Sequence, residues 1–171
     1  MIDSHLHSDS DGEVLLTPEG FDALTQELED LTVRKRAEIA DRIRESQQHG
    51  EFSEDNSELD EVKFEQAIVE NRIAELKAIF AGAVRMDPEQ VPTSEVGYGS
   101  YVVLTDLDRN QKSEYRLVAG IEADTDRGFI SDESPLGQAI FGAKKGDTVE
   151  FQAPRGMKRY RIESISRTPK K

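Results

Sequence analysis

The sequence of 171 residues contains no cysteine and no tryptophan, and aromatic residues make up only 6% of it. The absence of cysteine excludes disulfides, thiolate metal sites and cysteine nucleophiles. No apolar run reaches the length of about 18 residues that a transmembrane helix needs, so no membrane partner is expected. The N-terminus also lacks the basic start and apolar stretch of a signal peptide. These absences are typical of a cytoplasmic protein.

Hydrophobic residues are also scarce, at 36%, against the ~45–50% that is usual for a globular chain. This deficit argues against one large spherical core and favours an elongated or two-part molecule. Acidic residues outnumber basic ones by 35 to 22, which gives a formal net charge of −13. A surface of that sign repels phosphates, so binding of nucleic acid across the whole surface is not expected.

The charge is distributed unevenly along the chain. Residues 51–61 contain six acids and no base, which is the densest charge feature. Residues 155–171 contain seven bases and one acid, a net of 7 − 1 = +6. A third, basic stretch at residues 34–44 includes Arg34, Arg36, Arg42 and Arg44. A charge run is most often a solvated surface, so each of these needs further argument before it indicates function.

A long helix is predicted from about residue 18 to about residue 48. Thr17 and Pro18 form a typical helix start, with threonine as the N-cap and proline in the first turn. Apolar residues then recur at helical spacing, and they are Phe21, Leu24, Leu28 and Leu31. After Leu31 the stripe loses register, and Ile39 and Ile43 continue it on a shifted face.

A second helix is predicted after the acidic segment, capped by Asn56 or Ser57 and ending near Ala83. Its seam positions recur at alternating spacings of three and four residues, and they are Leu59, Val62, Gln66, Val69, Ile73, Leu76 and Phe80. Two long helices joined by a short turn pack antiparallel. The sequence therefore predicts a coiled-coil hairpin about 45 Å long, at ~1.5 Å per residue.

The second half of the chain is β-rich. Residues 85–95 contain two prolines and indicate a linker. Five β-branched and aromatic runs predict strands, at residues 98–104, 115–119, 129–131, 148–152 and 159–165. Residues 135–141 predict one short helix capped by Ser134. The predicted fold class is therefore α+β, with an N-terminal α-helical hairpin and a small antiparallel sheet that carries one helix.

The acidic segment lies where the predicted hairpin turns. Six acids close together repel each other and weaken the turn. A contribution to stability therefore does not explain why they occur there. Carboxylate oxygens are the ligands that Mg²⁺ prefers, and this ion keeps several waters. One interpretation is a probe that carries carboxylates into another molecule's site to hold a metal ion. The ordinary alternative is a solvated turn, and a calcium loop is not indicated because the EF-hand spacing is absent.

Several segments resemble the bacterial Gre transcript-cleavage factors. They are residues 16–21 (LTPEGF), 49–63 (HGEFSEDNSELDEVK), 65–66 (EQ), 72–73 (RI) and 134–142 (SPLGQAIFG). The helix-turn motif and the Ser-Pro-Leu-Gly motif occur together, in order and at the right distance, within about residues 15–166. The resemblance implies a coiled-coil hairpin joined to a C-terminal domain of FKBP-like fold. The implied limits are a disordered extension at 1–14, the hairpin at 15–85, a linker at 86–96, the FKBP-like polymerase-binding domain at 97–166 and a basic tail at 167–171.

The resemblance also implies a function. A Gre-like protein binds bacterial RNA polymerase at the rim of the secondary channel, and its hairpin enters that channel. The hairpin lends carboxylates to the second catalytic Mg²⁺, and the polymerase then cleaves the 3′ end of backtracked nascent RNA. The chain itself is then not an enzyme, and we expect the isolated chain to bind no cofactor and to be a monomer.

The family's motifs assign roles to particular residues of this chain. The tip acids, which match the catalytic and metal-binding positions, are Glu51, Glu54 and Asp55. The turn that matches the polymerase-docking positions consists of Glu133, Ser134 and Pro135. The candidates for contact with the RNA backbone are Arg34, Arg36, Arg42 and Arg44. For these arginines, ordinary pairing with neighbouring acids is the open alternative.

The tip departs from the family's usual pattern, which is Gly-Asp-Leu-x-Glu-Asn. Glu51 replaces the aspartate, and Glu54 and Asp55 occupy the place of one glutamate. One extra residue re-aims every carboxylate in the turn, and a displacement of about 1 Å can cost ~100-fold in positioned chemistry. Some homologues with extra tip acids inhibit the polymerase instead. The sequence therefore leaves two alternatives, a cleavage factor and a channel inhibitor that does not cleave.

The N-terminus contains a His-x-His pair, His5 and His7, among several aspartates. This resembles a little the first metal motif of polymerase-and-histidinol-phosphatase hydrolases, but the further histidines which that chemistry needs are missing. We expect a disordered polar extension. A metal enzyme acting alone, or a prolyl isomerase suggested by the FKBP-like fold, forms a third alternative, although fold does not carry function.

Overall fold

The computed structural model describes residues 12–49 and 57–170 of the chain. They divide into two compact units, one spanning Phe21–Gly82 and the other combining the residues before and after that span. The first unit is helical, and the second holds the described strands and a short helix, so the predicted α+β class is confirmed. Some residues singled out above lie outside the described residues, namely His5, His7, Glu51, Glu54, Asp55 and Asn56.

Two long helical segments form the helical unit. In the first, α1 (Pro18–Asp30), a π-helical turn (Leu31–Lys35) and α2 (Arg36–His49) follow one another without interruption. The second is α3 (Ser57–Phe80), which ends slightly earlier than predicted. Both predicted helices are therefore present. Within the described ranges, no helix has the length and apolar character needed to cross a membrane.

The π-helical turn explains why the apolar stripe loses register. The N–H of Arg36 donates to the carbonyl oxygen of Leu31, five residues earlier, whereas an α-helix bonds four residues back. The turn thus accommodates one extra residue, and the residues that follow are rotated accordingly. As a result Ile39 is buried and Ile43 packs beside it, on the same side as Leu28.

The two helical segments run antiparallel. Glu27 pairs with Arg72, whereas Arg42, further along the chain, pairs with Glu65. A residue later in the first segment therefore pairs with a residue earlier in α3. The buried core between them consists of Ile39, Val62, Val69 and Ile73, with Leu28, Leu31 and Ile43 packed against it. Four positions of the predicted heptad seam, Val62, Val69, Ile73 and Leu76, are thus the buried residues of α3, whereas Gln66 is exposed.

Two short strands flank the helical unit in the chain. β1 (Val14–Leu16) and β2 (Ala83–Arg85) pair in parallel, and the sequence analysis missed both because three residues show too little periodicity. Immediately after β1, the Thr17 hydroxyl oxygen accepts from the N–H of Gly20 at 3.1 Å, so Thr17 is confirmed as a helix cap. The Thr17 N–H and hydroxyl donate in turn to the Glu122 carboxylate, at 2.8 and 2.5 Å.

A five-stranded sheet forms the centre of the second unit. In chain order its strands are β3 (Tyr101–Asp106), β4 (Gln111–Val118), β5 (Phe129–Ser131), β6 (Thr148–Ala153) and β7 (Gly156–Ser166). They lie side by side in the order β5-β4-β3-β7-β6, and each predicted strand is present. The sheet is mixed rather than wholly antiparallel as predicted, because β4 and β5 pair in parallel. Between them the chain passes through two short 3-10 turns, Gly120–Glu122 and Thr125–Arg127.

The short helix α4 (Pro135–Ile140) packs against the sheet. Ile140 is fully buried, and Leu136 packs against the same cluster. The buried members of this cluster are Val96, Val102, Leu104, Leu117, Ile140 and Ile162. Full burial of one such side chain stabilises a fold by about 1.5–3 kcal/mol. The cluster therefore fixes α4 on the sheet, and with it the turn that precedes the helix.

Candidate functional site

The turn at residues 131–135, just before α4, contains the predicted docking residues. Ser134 is the N-cap of α4, as predicted, and Pro135 occupies the first turn of the helix. The Ser134 hydroxyl donates to the carbonyl oxygen of Ser131 at 2.6 Å and accepts from the N–H of Gly137 at 3.0 Å. Serine suits this position because one hydroxyl both donates and accepts. Glu133 and Pro135 are exposed on either side of it.

Tyr98 holds the same turn from another side. Its hydroxyl donates to Oδ2 of Asp132 at 2.5 Å, and its ring meets the ring of Phe141 edge to face, 5.4 Å between centroids. The Ser131 hydroxyl oxygen accepts from the N–H of Glu133 at 3.0 Å. Sequence reasoning missed Tyr98, since 34 residues separate it from Asp132 and no local pattern connects them.

Close backbone packing also defines the 131–135 turn. A Cβ at Gly137 would overlap the carbonyl oxygen of Ser131 and lie 2.9 Å from the Ser134 hydroxyl oxygen. Gly120 lies beside the turn as well, because a Cβ there would be 3.4 Å from a carboxylate oxygen of Glu133. Both positions therefore bring backbone close to the turn. Gly137 in particular leaves no room for a side chain.

This geometry suits recognition of a partner rather than catalysis. The turn presents the Glu133 carboxylate and the Pro135 ring to solvent from a backbone held by side-chain hydrogen bonds. An exposed carboxylate on a fixed backbone accepts charge-assisted hydrogen bonds from arginine or lysine of a partner. The turn can therefore bind a basic surface of defined shape.

The four arginines predicted to contact RNA are all paired within the helical unit. The pairs are Arg34 with Asp30 and Glu38, Arg36 with Glu70, Arg42 with Glu65, and Arg44 with Asp41. The arginine side chains keep 43–69% of their surface exposed, and exposed pairs of this kind contribute about 0–1 kcal/mol each. The pairing that the sequence left as the ordinary alternative is therefore present, and RNA contact stays a prediction.

Acidification is expected to destabilise the helical unit. Hydrogen bonds from cationic partners lower the pKa of four of its carboxyls: Glu27 beside Arg72, Asp30 beside Arg34, Glu65 beside Lys35 and Glu70 beside Arg36. A carboxyl whose pKa is lowered by folding contributes stability above its unfolded pKa, which is about 4. That contribution is lost as the pH falls through the lower, folded-state pKa. We therefore expect the thermal midpoint, followed by helical circular dichroism, to fall from about pH 5 downward.

The salt dependence provides the control for this prediction. At about 1 M NaCl the exposed pairs are screened, so the drop in midpoint on acidification is expected to be smaller than at low salt. A midpoint that stays constant from about pH 6 to pH 2 would show that these pairs contribute nothing to stability.

The tip acids occupy a defined place in the chain order. α2 ends at His49 and α3 begins at Ser57, so Glu51, Glu54 and Asp55 belong to the connection between two antiparallel helices. Within the described ranges 12–49 and 57–170, no group of three or more metal-ligating side chains could hold an ion. Carboxylates are the donor set that suits Mg²⁺, and the metal role of these three acids stays a prediction from the sequence.

Comparison with known proteins gives matches along most of the chain. Residues 14–84 match the family described as "Transcription elongation factor, N-terminal", and residues 91–167 match "Transcription elongation factor, GreA/GreB, C-term". The chain is 45% identical over 158 residues to "Transcription elongation factor GreA" of Alkaliphilus oremlandii, which covers 92% of this chain and 99% of the relative. It is 43% identical to the protein of the same name from Caldanaerobacter subterraneus, over 90% of this chain and 98% of the relative.

Two solved structures are also similar. The "GreA factor homolog 1 (Gfh1) protein of Thermus thermophilus" shares 32% identity over 90% of this chain and 99% of that one, with a TM-score of 0.38. The "Prokaryotic transcription elongation factor GreA/GreB from Nitrosomonas europaea" shares 21% identity over 91% and 99%, with a TM-score of 0.40.

Proposed function

Because the chain belongs to the GreA/GreB family of transcription elongation factors, we propose that it binds bacterial RNA polymerase and stimulates cleavage of backtracked RNA. The 131–135 turn docks at the rim of the secondary channel through Glu133, Ser134 and Pro135. The helical hairpin enters the channel and approaches the nascent RNA 3′ end. The polymerase performs the cleavage, so the chain regulates another enzyme. It acts in the cytoplasm as a monomer.

One observation carries this proposal: two long antiparallel helices are joined by an acidic segment. Residues 51–61 contain six acids and no base, and α3 alone has 24 residues, about 36 Å of helix at ~1.5 Å per residue. Helices of that length can bring carboxylates deep into a partner. Glu51, Glu54 and Asp55 would supply oxygen ligands to a Mg²⁺ ion shared with the polymerase, which makes bound water more acidic.

The direct test adds the protein to backtracked elongation complexes in the presence of Mg²⁺. Shortening of the RNA from its 3′ end, followed by renewed elongation, supports the proposal. The same assay without polymerase is the control, since turnover there would indicate an enzyme that acts alone and would contradict the proposal.

A second candidate function is inhibition of the polymerase without cleavage. The observation that favours it is the extra tip residue, because Glu54 and Asp55 occupy the place of one acid in the family's usual pattern. An altered turn re-aims its carboxylates and can occupy the channel without positioning water for cleavage. Slowed elongation with RNA of unchanged length would support this candidate over the first.

Removal of the Tyr98 hydroxyl is expected to weaken polymerase docking. The Tyr98→Phe variant keeps the ring contact with Phe141 but loses the hydrogen bond to Asp132. A hydrogen bond of this kind contributes roughly 0.5–1.5 kcal/mol, so the 131–135 turn becomes less ordered. We expect binding to polymerase, measured by titration, to weaken by about two- to twelvefold, a range that corresponds to this energy.

Tyr115→Phe is the matched control for this variant. Tyr115 belongs to β4 of the same unit and packs against the sheet core, and it is not part of the 131–135 turn. Both variants are expected to unfold within a few degrees of the wild type. Equal polymerase affinity for Tyr98→Phe and wild type would show that the hydrogen bond to Asp132 does not prepare the turn for docking.

A further inference from the structure

Two large apolar side chains on α3 are exposed to solvent. Phe64 keeps 69% and Ile68 keeps 54% of its surface exposed, whereas Val62 and Val69 on the same helix keep 1% and 6%. Phe64 and Ile68 are four residues apart, so they are neighbours on one face of the helix. Ala67 between them is exposed as well. Together these three residues form an apolar patch that points away from the core of the helical unit.

One charge beside this patch is paired within the protein. Glu65, next to Phe64, pairs with Lys35 at 2.6 Å and with Arg42 at 2.5 Å. Asp60 and Glu61, one helical turn before Phe64, are exposed acids on the same face. A partner that approaches this side of α3 therefore meets an apolar surface whose burial is favourable, with these two acids at its edge.

The patch lies close to the end of the helix that joins the acidic segment. Phe64 is seven residues after Ser57, where α3 begins, which corresponds to about 10 Å along the helix, and Ile68 is about 16 Å from the same end. If residues 51–55 reach the reaction chamber of the polymerase, the channel that encloses them must also enclose the first turns of α3. The patch is thus continuous with the interface that the proposed function requires.

We propose that Phe64 and Ile68 bind an apolar surface on the wall of the polymerase secondary channel and contribute to the affinity of the hairpin for it. This inference rests on the proposed function and adds a second contact to the docking turn. Exposed aromatic side chains that become buried at an interface are frequent centres of binding energy. The patch anchors the hairpin next to its acidic end.

The double variant Phe64→Gln/Ile68→Gln tests the proposal. Glutamine favours helices and both positions are exposed, so the helical signal and thermal midpoint are expected to match the wild type. We expect about tenfold weaker binding to RNA polymerase core enzyme. The loss is expected to persist at raised salt, since apolar contacts are not screened. Val33→Gln is the matched control, because Val33 is 68% exposed in the π-helical turn, about 24 Å of helix before the end of α2, and its replacement should leave the affinity unchanged.

The outcomes separate this inference from the proposed function. If the wild type binds polymerase and the double variant binds equally well, the inference is wrong and the proposed function is untouched. If the wild type does not bind polymerase, the proposed function is wrong and the inference falls with it. If the wild type self-associates at micromolar concentration and the double variant does not, the patch binds a second copy of this chain, which also overturns the inference.

Discussion

Replacement of Glu54 or Asp55 by alanine is expected to reduce stimulated RNA cleavage to the level of polymerase alone, while polymerase binding persists. Both acids lie in the connection between α2 and α3, which the proposed function delivers to the Mg²⁺ ion. Because the ligand oxygens act only in the positioned complex, their loss costs about 100-fold or more in rate. Cleavage is measured on backtracked complexes with saturating protein, and binding is measured separately by competition.

Two further variants make this experiment specific. Glu61→Ala removes a charge from the same acidic run but from within α3, and it is expected to leave cleavage within about twofold of the wild type. Glu54→Gln keeps the size of the side chain and removes only the charge, so it should fail in the same way as Glu54→Ala. Loss of polymerase binding in the tip variants would contradict the prediction, because it would make the tip a structural element.

The two candidate functions predict different results for these substitutions. If the protein inhibits without cleaving, Asp55→Ala removes one of the tip carboxylates. This variant is then expected to relieve inhibition of elongation, and no loss of RNA cleavage is expected because the wild type stimulates none. The extra residue can be tested directly by deleting Asp55. A gain of cleavage after the deletion would show that the lengthened tip, and not the rest of the hairpin, decides between the two functions.

The hairpin was predictable because its signals are local. The Thr17–Pro18 start and the spacing of apolar residues give both helices and their buried faces. The same pattern contained the one-residue shift between Leu31 and Ile39, but a shift alone does not indicate how the backbone accommodates it. The π-helical turn is one solution among several, and it becomes visible only when Arg36 is seen to bond to Leu31.

The β-rich unit was predictable in its elements but less so in their pairing. Each of the five sheet strands is present, and each could be predicted because a β-branched or aromatic run marks it. The parallel pairing of β4 and β5 was missed, because nothing in either strand specifies the direction of its neighbour. β1 and β2 were missed because each has only three residues and its partner is distant in the chain.

The candidate site likewise has features that the sequence predicts and features that it does not. The role of Ser134 as a helix cap follows from the Ser-Pro sequence and is present in the structure. By contrast, the hydrogen bond from Tyr98 to Asp132 depends on the sheet and α4 bringing distant segments together. The requirement for glycine at position 137 likewise arises from the packing of one backbone against another.

A single methyl group at position 137 is expected to destabilise the β-rich unit and to disrupt docking. In the Gly137→Ala variant the new Cβ would overlap the carbonyl oxygen of Ser131, which is backbone and therefore cannot rotate away. The Ser134 hydroxyl bonds to both sides of this contact, so the 131–135 turn has to open. Overpacking of this kind costs about 1–3 kcal/mol, which lowers the midpoint of a chain of this size by roughly 2–12 °C.

Gly142→Ala is the control, since it adds the same methyl group just after α4 with no atom within 4 Å. Its backbone φ of 76° is strained for alanine, so a loss of about 1 kcal/mol is expected, but the 131–135 turn is left intact. We therefore expect Gly137→Ala to lose polymerase affinity by more than its thermal midpoint alone explains, and Gly142→Ala to keep it. If Gly137→Ala binds polymerase normally at a temperature where it is folded, docking does not depend on the shape of this turn.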